Sequence, residues 1–296
     1  MRLENEVRKR IDSIENKSPL TQSVQGIFPT KGGDGGDDIL WLGLLSSVGI
    51  YKASLGILES QAQAGRTGMF YRNPQRRSTD NIGHSHFFSR DMAHGPLLLF
   101  CQKQPYLQSN AQKWLNYIDK NRPCVRKKPK WMGGGCWLRG LHRYAPDSRS
   151  DITPTMWAIM GRVWAANDWP LHSEMKRWKG ADGEMSVIEA SQASLGYQVH
   201  LKAVQAYIKL VLGQSREYRQ KVADICHRRQ PDNLFYEFLS RGNASPSMLK
   251  KFLEICPDPE NFTPSDKWCW ERSTMDFSKC CGWDMVFMGK LLLKFY

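Results

Sequence analysis

The stretch DDILWLGLLSSVGIYKASLGILESQAQ, residues 37–63, reads as one long helix. Asp37 and Asp38 stand at its start, where carboxylates complement the helix dipole, and Gly65 supplies a stop. Further segments carry helical apolar spacing near 89–103, 109–120, 153–167, 197–213, 216–228, 232–241, 246–255 and 283–294, and strand signals are few. The expected class is all-α. Long connections rich in Gly, Pro, Trp and charge separate these helices, notably 66–88, 121–152, 168–190 and 256–282, and connections of that length often carry function.

Upstream, Leu3, Val7, Ile11 and Ile14 recur at helical spacing within a charged segment. Residues 1–20 therefore read as an amphipathic helix that either caps its own domain or tethers the chain to a partner subunit. Residues 21–36 read as a glycine-rich linker and 37–296 as the main domain.

The chain has 296 residues, of which 41% are hydrophobic and 24% charged, so a substantial core is expected. No apolar run approaches the roughly 18–20 residues that span a bilayer. The charged amino terminus lacks the apolar centre of a signal peptide, so the expectation is a protein made in the cytoplasm that reaches any outside location, a virion included, by another route. Eight cysteines without a C-x-x-C pair are expected to be mostly reduced core thiols. A net charge of +13 favours an anionic partner. Its clusters RNPQRR (72–77) and CVRKKPK (124–130) are interrupted by proline and are expected to be loops.

Candidate chemistry centres on GHSHFFSRDMAHGPLLLF, residues 83–100. Ser89 is a candidate N-cap, Asp91 a first-turn carboxylate, and Arg90, Asp91 and His94 would be neighbours on one helix, which Pro96 should kink. Asp91 would orient or activate a group and Arg90 would bind an anion; capping with an exposed ion pair accounts for the same residues. Cleavage of a sugar linkage generally needs two carboxylates, and the partner of Asp91 is sought at Asp38, with Asp37 beside it. A polysaccharide lyase would instead need a base and a cation, for which His86, His94, Tyr71, Arg72 and Arg90 are candidates.

Trp131, Trp137, Trp268 and Trp270 are candidate sugar-stacking platforms, whereas Trp157, Trp164 and Trp283 fit the core. His200 shares a helix stripe with Val204 and Val211 and is either a core histidine or a ligand contact. The acidic run DGGDD falls short of a calcium-loop pattern. No nucleophile elbow, phosphate loop, H-E-x-x-H or G-x-G-x-x-G is present, and nothing requires a cofactor.

SRDMAHG opening a helix after a basic loop, GYQVHLKAVQAYIKLVLG, RRQPDNLFYEFLSRG and WCWERSTMDFSKCCGWDMVFMGKLL together resemble the (α/α) toroid carbohydrate-active proteins of bacteria and bacteriophages, over about residues 34–296. That resemblance to glycoside hydrolases and polysaccharide lyases implies a barrel of antiparallel helical hairpins whose cup binds and cleaves a bacterial cell-surface polysaccharide. The alternative is a non-catalytic virion or envelope interaction protein that binds glycan or a partner subunit. Nucleic-acid binding rests on charge alone and lacks a recognisable module.

Overall fold

The computed structural model describes residues 2–22, 26–32, 37–61, 68–74, 88–122, 124–139 and 152–296, and its class is all-α with two small antiparallel hairpins. His86 lies outside the described residues. Most of the helices the apolar spacing predicts are present: α1 (Arg2–Glu15), α5 (Leu107–Lys120), α6 (Pro154–Ala166), α9 (Tyr197–Val211), α10 (Arg216–Arg229), α11 (Leu234–Arg241), α12 (Pro246–Ile255) and α13 (Trp283–Lys294).

The expected single helix over 37–63 is two, α2 (Asp38–Ser47) and α3 (Tyr51–Glu59), which pack on each other. Gly49, at φ 92°, breaks the run after α2. The helix expected over 89–103 shrinks to α4 (His94–Phe100), because residues 90–93 form turns. Ser89 is therefore no N-cap. Pro96 does not kink α4: as its third residue it occupies the first turn, where an amide has no intrahelical acceptor to lose. Two short helices, α7 (Ser173–Arg177) and α8 (Glu184–Gln192), occupy the stretch read as a loop. In α8 only Ser186 and Ala190 are buried, so it has almost no apolar stripe to detect.

The first helix caps its own domain with its apolar stripe. Val7, Ile11 and Ile14 are buried, and α1 packs against α12 and α13 of its own chain, which leaves this stripe unavailable to a partner. Part of the supposed linker is a hairpin of β1 (Leu20–Gln22) and β2 (Ile27–Pro29) packed on α3. The basic run 124–130 likewise enters a hairpin, β3 (Cys124–Lys127) with β4 (Cys136–Arg139), closed by a Cys124–Cys136 disulfide. The other six cysteines are buried thiols.

At the centre lies α2, buried at every residue, which suits its all-round apolar sequence. It crosses α4 at glycines: a Cβ on Gly43 would collide with the Gly95 backbone, and one on Gly95 with the Ile39 carbonyl. Helices α2, α4, α9, α10, α11, α12 and α13 are neighbours in a closed succession. Tyr207 of α9, Phe235 of α11 and Phe287 of α13 pack on one another at centroid separations of 5.5–6.0 Å, and Tyr207 shares a 2.9 Å hydrogen bond with Ser47. Beside them, Phe100 of α4 meets Trp114, Trp164 and Trp169. Buried Asp182, ahead of α8, binds Arg162 of α6 and, at 3.3 Å, Lys209 of α9.

Gly95→Ala would force α2 and α4 apart, at a cost of roughly 3 kcal/mol. Its denaturation midpoint should fall accordingly, whereas Gly133→Ala on the hairpin, with open space around its Cα, should cost only about 1–2 kcal/mol, through its positive φ alone.

Candidate functional site

The starts of α2, α4 and α9 meet around one hollow, together with a 3-10 turn at Cys269–Glu271. Two cavities open there. One, of about 420 Å³, is lined by Asp37, Arg72, Ser89, Asp91, Tyr197, Glu271 and Arg272 among others. The second, of about 470 Å³, is lined by Arg90, Asp91, His94, Glu189, Tyr197, Lys202 and Gln205 among others. Asp91 and Tyr197 belong to both walls, so the two hollows adjoin.

Asp37 precedes α2 but makes no capping bond; its carboxylate lies 3.3 Å from both Lys31 Nζ and Arg72 Nη1. Arg72 is held in place through its own carbonyl, which accepts the Ile39 amide at 2.7 Å. Asp38 is elsewhere. It is buried, accepts hydrogen bonds from Thr30 Oγ1 at 2.9 Å and the Lys31 amide at 3.2 Å, and lines neither cavity. Burial pushes its carboxyl up to about 6. The catalytic assignment of Asp38 is thus corrected: it fastens the β2 exit to α2, and its neighbour Asp37 is the one at the cavity.

Asp91, Arg90 and His94 do converge, though on the turn leading into α4 and not along a helix face. The Asp91 carbonyl faces His94 Nδ1 at 2.8 Å, so Nδ1 carries the proton. Nε2 then accepts from Gln205 Nε2 at 3.2 Å. Complete burial lowers the imidazole to about 4, so His94 is neutral and both its nitrogens are engaged. Burial raises the Asp91 carboxyl above its ordinary value, while the adjacent Arg90 opposes that shift.

Glu271 is the residue that the sequence reading passed over. It ends the 3-10 turn, half-buried, and desolvation raises its carboxyl to about 7, with Lys31 the main opposing charge. The two tryptophans before it explain its position. Trp268 and Trp270 are fully buried, so neither is a sugar platform. Trp268 stacks on Trp41 of α2 at 4.6 Å, and Trp270 Nε1 donates to the Asp284 carbonyl at 2.8 Å, with Asp284 in turn accepting the Cys269 amide at 2.9 Å. Gln230 donates to the carbonyls of Arg272 and Ser273 at 2.6 and 2.9 Å. These contacts hold the turn against the start of α2. In the sequence, two core-anchoring tryptophans flanking one residue before Glu271 and Arg272 were the available signal.

The remaining candidates fall away from the cavities. His200 is buried among Trp41, Phe235 and Tyr236, and burial lowers it to about 3; it is a neutral core residue, not a ligand contact. Trp131 is 79% exposed at the tip of the β3–β4 hairpin and lines neither cavity. Trp137 lies in β4, its side chain outside the described part. Trp157, Trp164 and Trp283 are buried as expected of core residues. Tyr71 packs beside Met69 and Tyr117.

Across both cavities the charged lining residues are Asp37, Asp91, Glu189 and Glu271 against Arg72, Arg90, Lys202 and Arg272. The excess positive charge of the chain is therefore carried elsewhere. Tyr197, raised well above 10 chiefly by burial, stays protonated and can donate a hydrogen bond. Among the described residues no group of three or more His, Cys, Asp or Glu is placed to hold a metal ion, and no helix is long and apolar enough to cross a membrane. No family model, curated protein or solved structure matches the chain.

Because the folded-state pKa of Glu271 lies above its ordinary value of 4.5, the stability this group contributes is present at low pH and lost as pH rises through about 7. Glu271→Gln removes that loss. The variant should equal the parent near pH 5 and exceed it by about 2 kcal/mol at pH 8–9 in denaturant unfolding.

Proposed function

We propose that the protein binds and cleaves a bacterial cell-surface polysaccharide by hydrolysis, within a helical ring of the (α/α) toroid kind. The observation that carries this reading is the presence of Asp91 and Glu271, 180 residues apart in sequence, in the wall of one cavity with unequal surroundings. Glu271, raised to about 7, retains a proton at neutral pH that it can give to a leaving glycosidic oxygen. Asp91, made more basic by burial and flanked by Arg90, activates water or attacks the anomeric carbon. Asp37, paired with Arg72 and Lys31, and protonated Tyr197 hold sugar hydroxyls between them.

The closed succession of helices supports the ring, and the cavities lie where three helix starts meet. Hydrolysis is favoured over lyase chemistry on two counts. His94 has no free lone pair to take a proton, and Tyr197 is too weak an acid to serve as its phenolate.

Incubation with acidic and neutral bacterial polysaccharides, followed by mass spectrometry, tests the reading. New reducing ends are expected; unsaturated ends would indicate a lyase, and unaltered but bound polymer a non-catalytic interaction protein. Asp91→Asn and Glu271→Gln should each lower kcat by at least about a thousandfold with helical content unchanged, whereas Asp38→Asn should stay within about tenfold of the parent. The parent's kcat/KM should decline as pH rises above about 7, tracking loss of the Glu271 proton.

A further inference from the structure

Trp131, 79% exposed, and Met132, 42% exposed, stand side by side in the 3-10 turn Lys130–Met132 at the tip of the β3–β4 hairpin. A lone exposed apolar side chain needs no explanation, but two consecutive ones at a projecting tip keep apolar surface in water with no packing gain. The tip does project. Beyond the pairing of β3 with β4, the hairpin makes no extensive contact with another described helix or strand. The Cys124–Cys136 disulfide ties the two strands together behind the turn, and Gly133, Gly134 and Gly135 follow it without side chains.

The charge around this tip has one sign. Residues 121–146 contain seven Lys or Arg and no Asp or Glu. Lys127, Lys128 and Lys130 are exposed, and none of the three has a carboxylate partner among the described residues. Cations flanking a small apolar tip complement a surface that is anionic at its face and hydrocarbon beneath. At such a surface the lysines meet phosphate headgroups, the indole settles at the boundary with its Nε1–H toward the headgroups, and Met132 enters hydrocarbon. A nucleic-acid strand would satisfy the lysines but leave Met132 in water, and a single ring offers one stacking face where strand-binding grooves use several.

We infer that the β3–β4 tip docks the protein on a bilayer containing anionic phospholipid, with Trp131 and Met132 inserted shallowly and Lys127, Lys128 and Lys130 on the headgroups. None of these five residues lines either cavity, so the docking surface is separate from the candidate site and independent of the carbohydrate reading.

Flotation of the full chain with vesicles of phosphatidylcholine, alone or mixed with phosphatidylglycerol, tests this at low ionic strength. The mixed vesicles should bind at least about tenfold more tightly, since each lysine near an anionic surface is worth roughly fivefold. Replacing Lys127, Lys128 and Lys130 together by Gln should weaken binding to the mixed vesicles by at least about tenfold, and Trp131→Ser with Met132→Ser should do the same, helical content being unchanged in both. Brominated acyl chains should quench part of the parent's tryptophan fluorescence, and the exposed, conservative change Trp131→Phe should abolish that quenching. Equal affinity for the two vesicle types, or vesicle binding without quenching, overturns the proposal. So does tighter binding of oligothymidylate than of the mixed vesicles at the same salt, which would make the tip a nucleic-acid surface.

Discussion

The structure depends on the contact between α2 and α4, where glycine backbones meet without intervening side chains. Asp37 precedes one of these helices and Asp91 the other, so the closeness of the crossing is what brings residues from two distant segments to one cavity. A crossing widened by even one methyl group would move Asp37 and Asp91 relative to each other. The aromatic packing on either side reinforces this arrangement: Phe100 is locked by three tryptophans, and Trp41 by its stack on Trp268.

That last stack joins the third element of the site. Evolution of a site from loop segments requires that the loops be held as firmly as helices, and residues 268–273 are held by ring stacking, by the Asp284 carboxylate, and by donors from Gln230 and Asn233. The tryptophans thus support the cavity wall indirectly. They touch no cavity, yet they determine where Glu271 lies. His94 and Gln205 play a comparable role on the other side, where a neutral ring relays the orientation of one backbone carbonyl to a side-chain amide.

Helical periodicity was enough to locate most helices, because burial of a stripe leaves its mark every third or fourth residue. It failed where that mark is absent. A helix buried on all sides, such as α2, has no polar face to end with, so the break at Gly49 was invisible; α8 has scarcely any apolar face at all. Of the site, Arg90, Asp91 and His94 were legible as a local cluster, Asp37 as a charge at a helix start and Arg72 as a cation in a basic loop. Glu271, Glu189, Lys202 and Gln205 were not, since their proximity is a property of the tertiary fold. Tryptophan identity could not separate core from surface: Trp268 and Trp131 have the same side chain, and one is buried while the other is 79% exposed.

The disulfide between Cys124 and Cys136 closes a hairpin whose tip carries exposed Trp131, and the six remaining cysteines are sealed inside. Burial also pushes Cys101, Cys226 and Cys256 up to about 12, which keeps their reactive thiolate forms scarce. A change of redox surroundings therefore has a single point of entry. In a reducing compartment the arm bearing Trp131 would slacken; in an oxidising one it would stiffen while the buried thiols stay shielded in the folded chain.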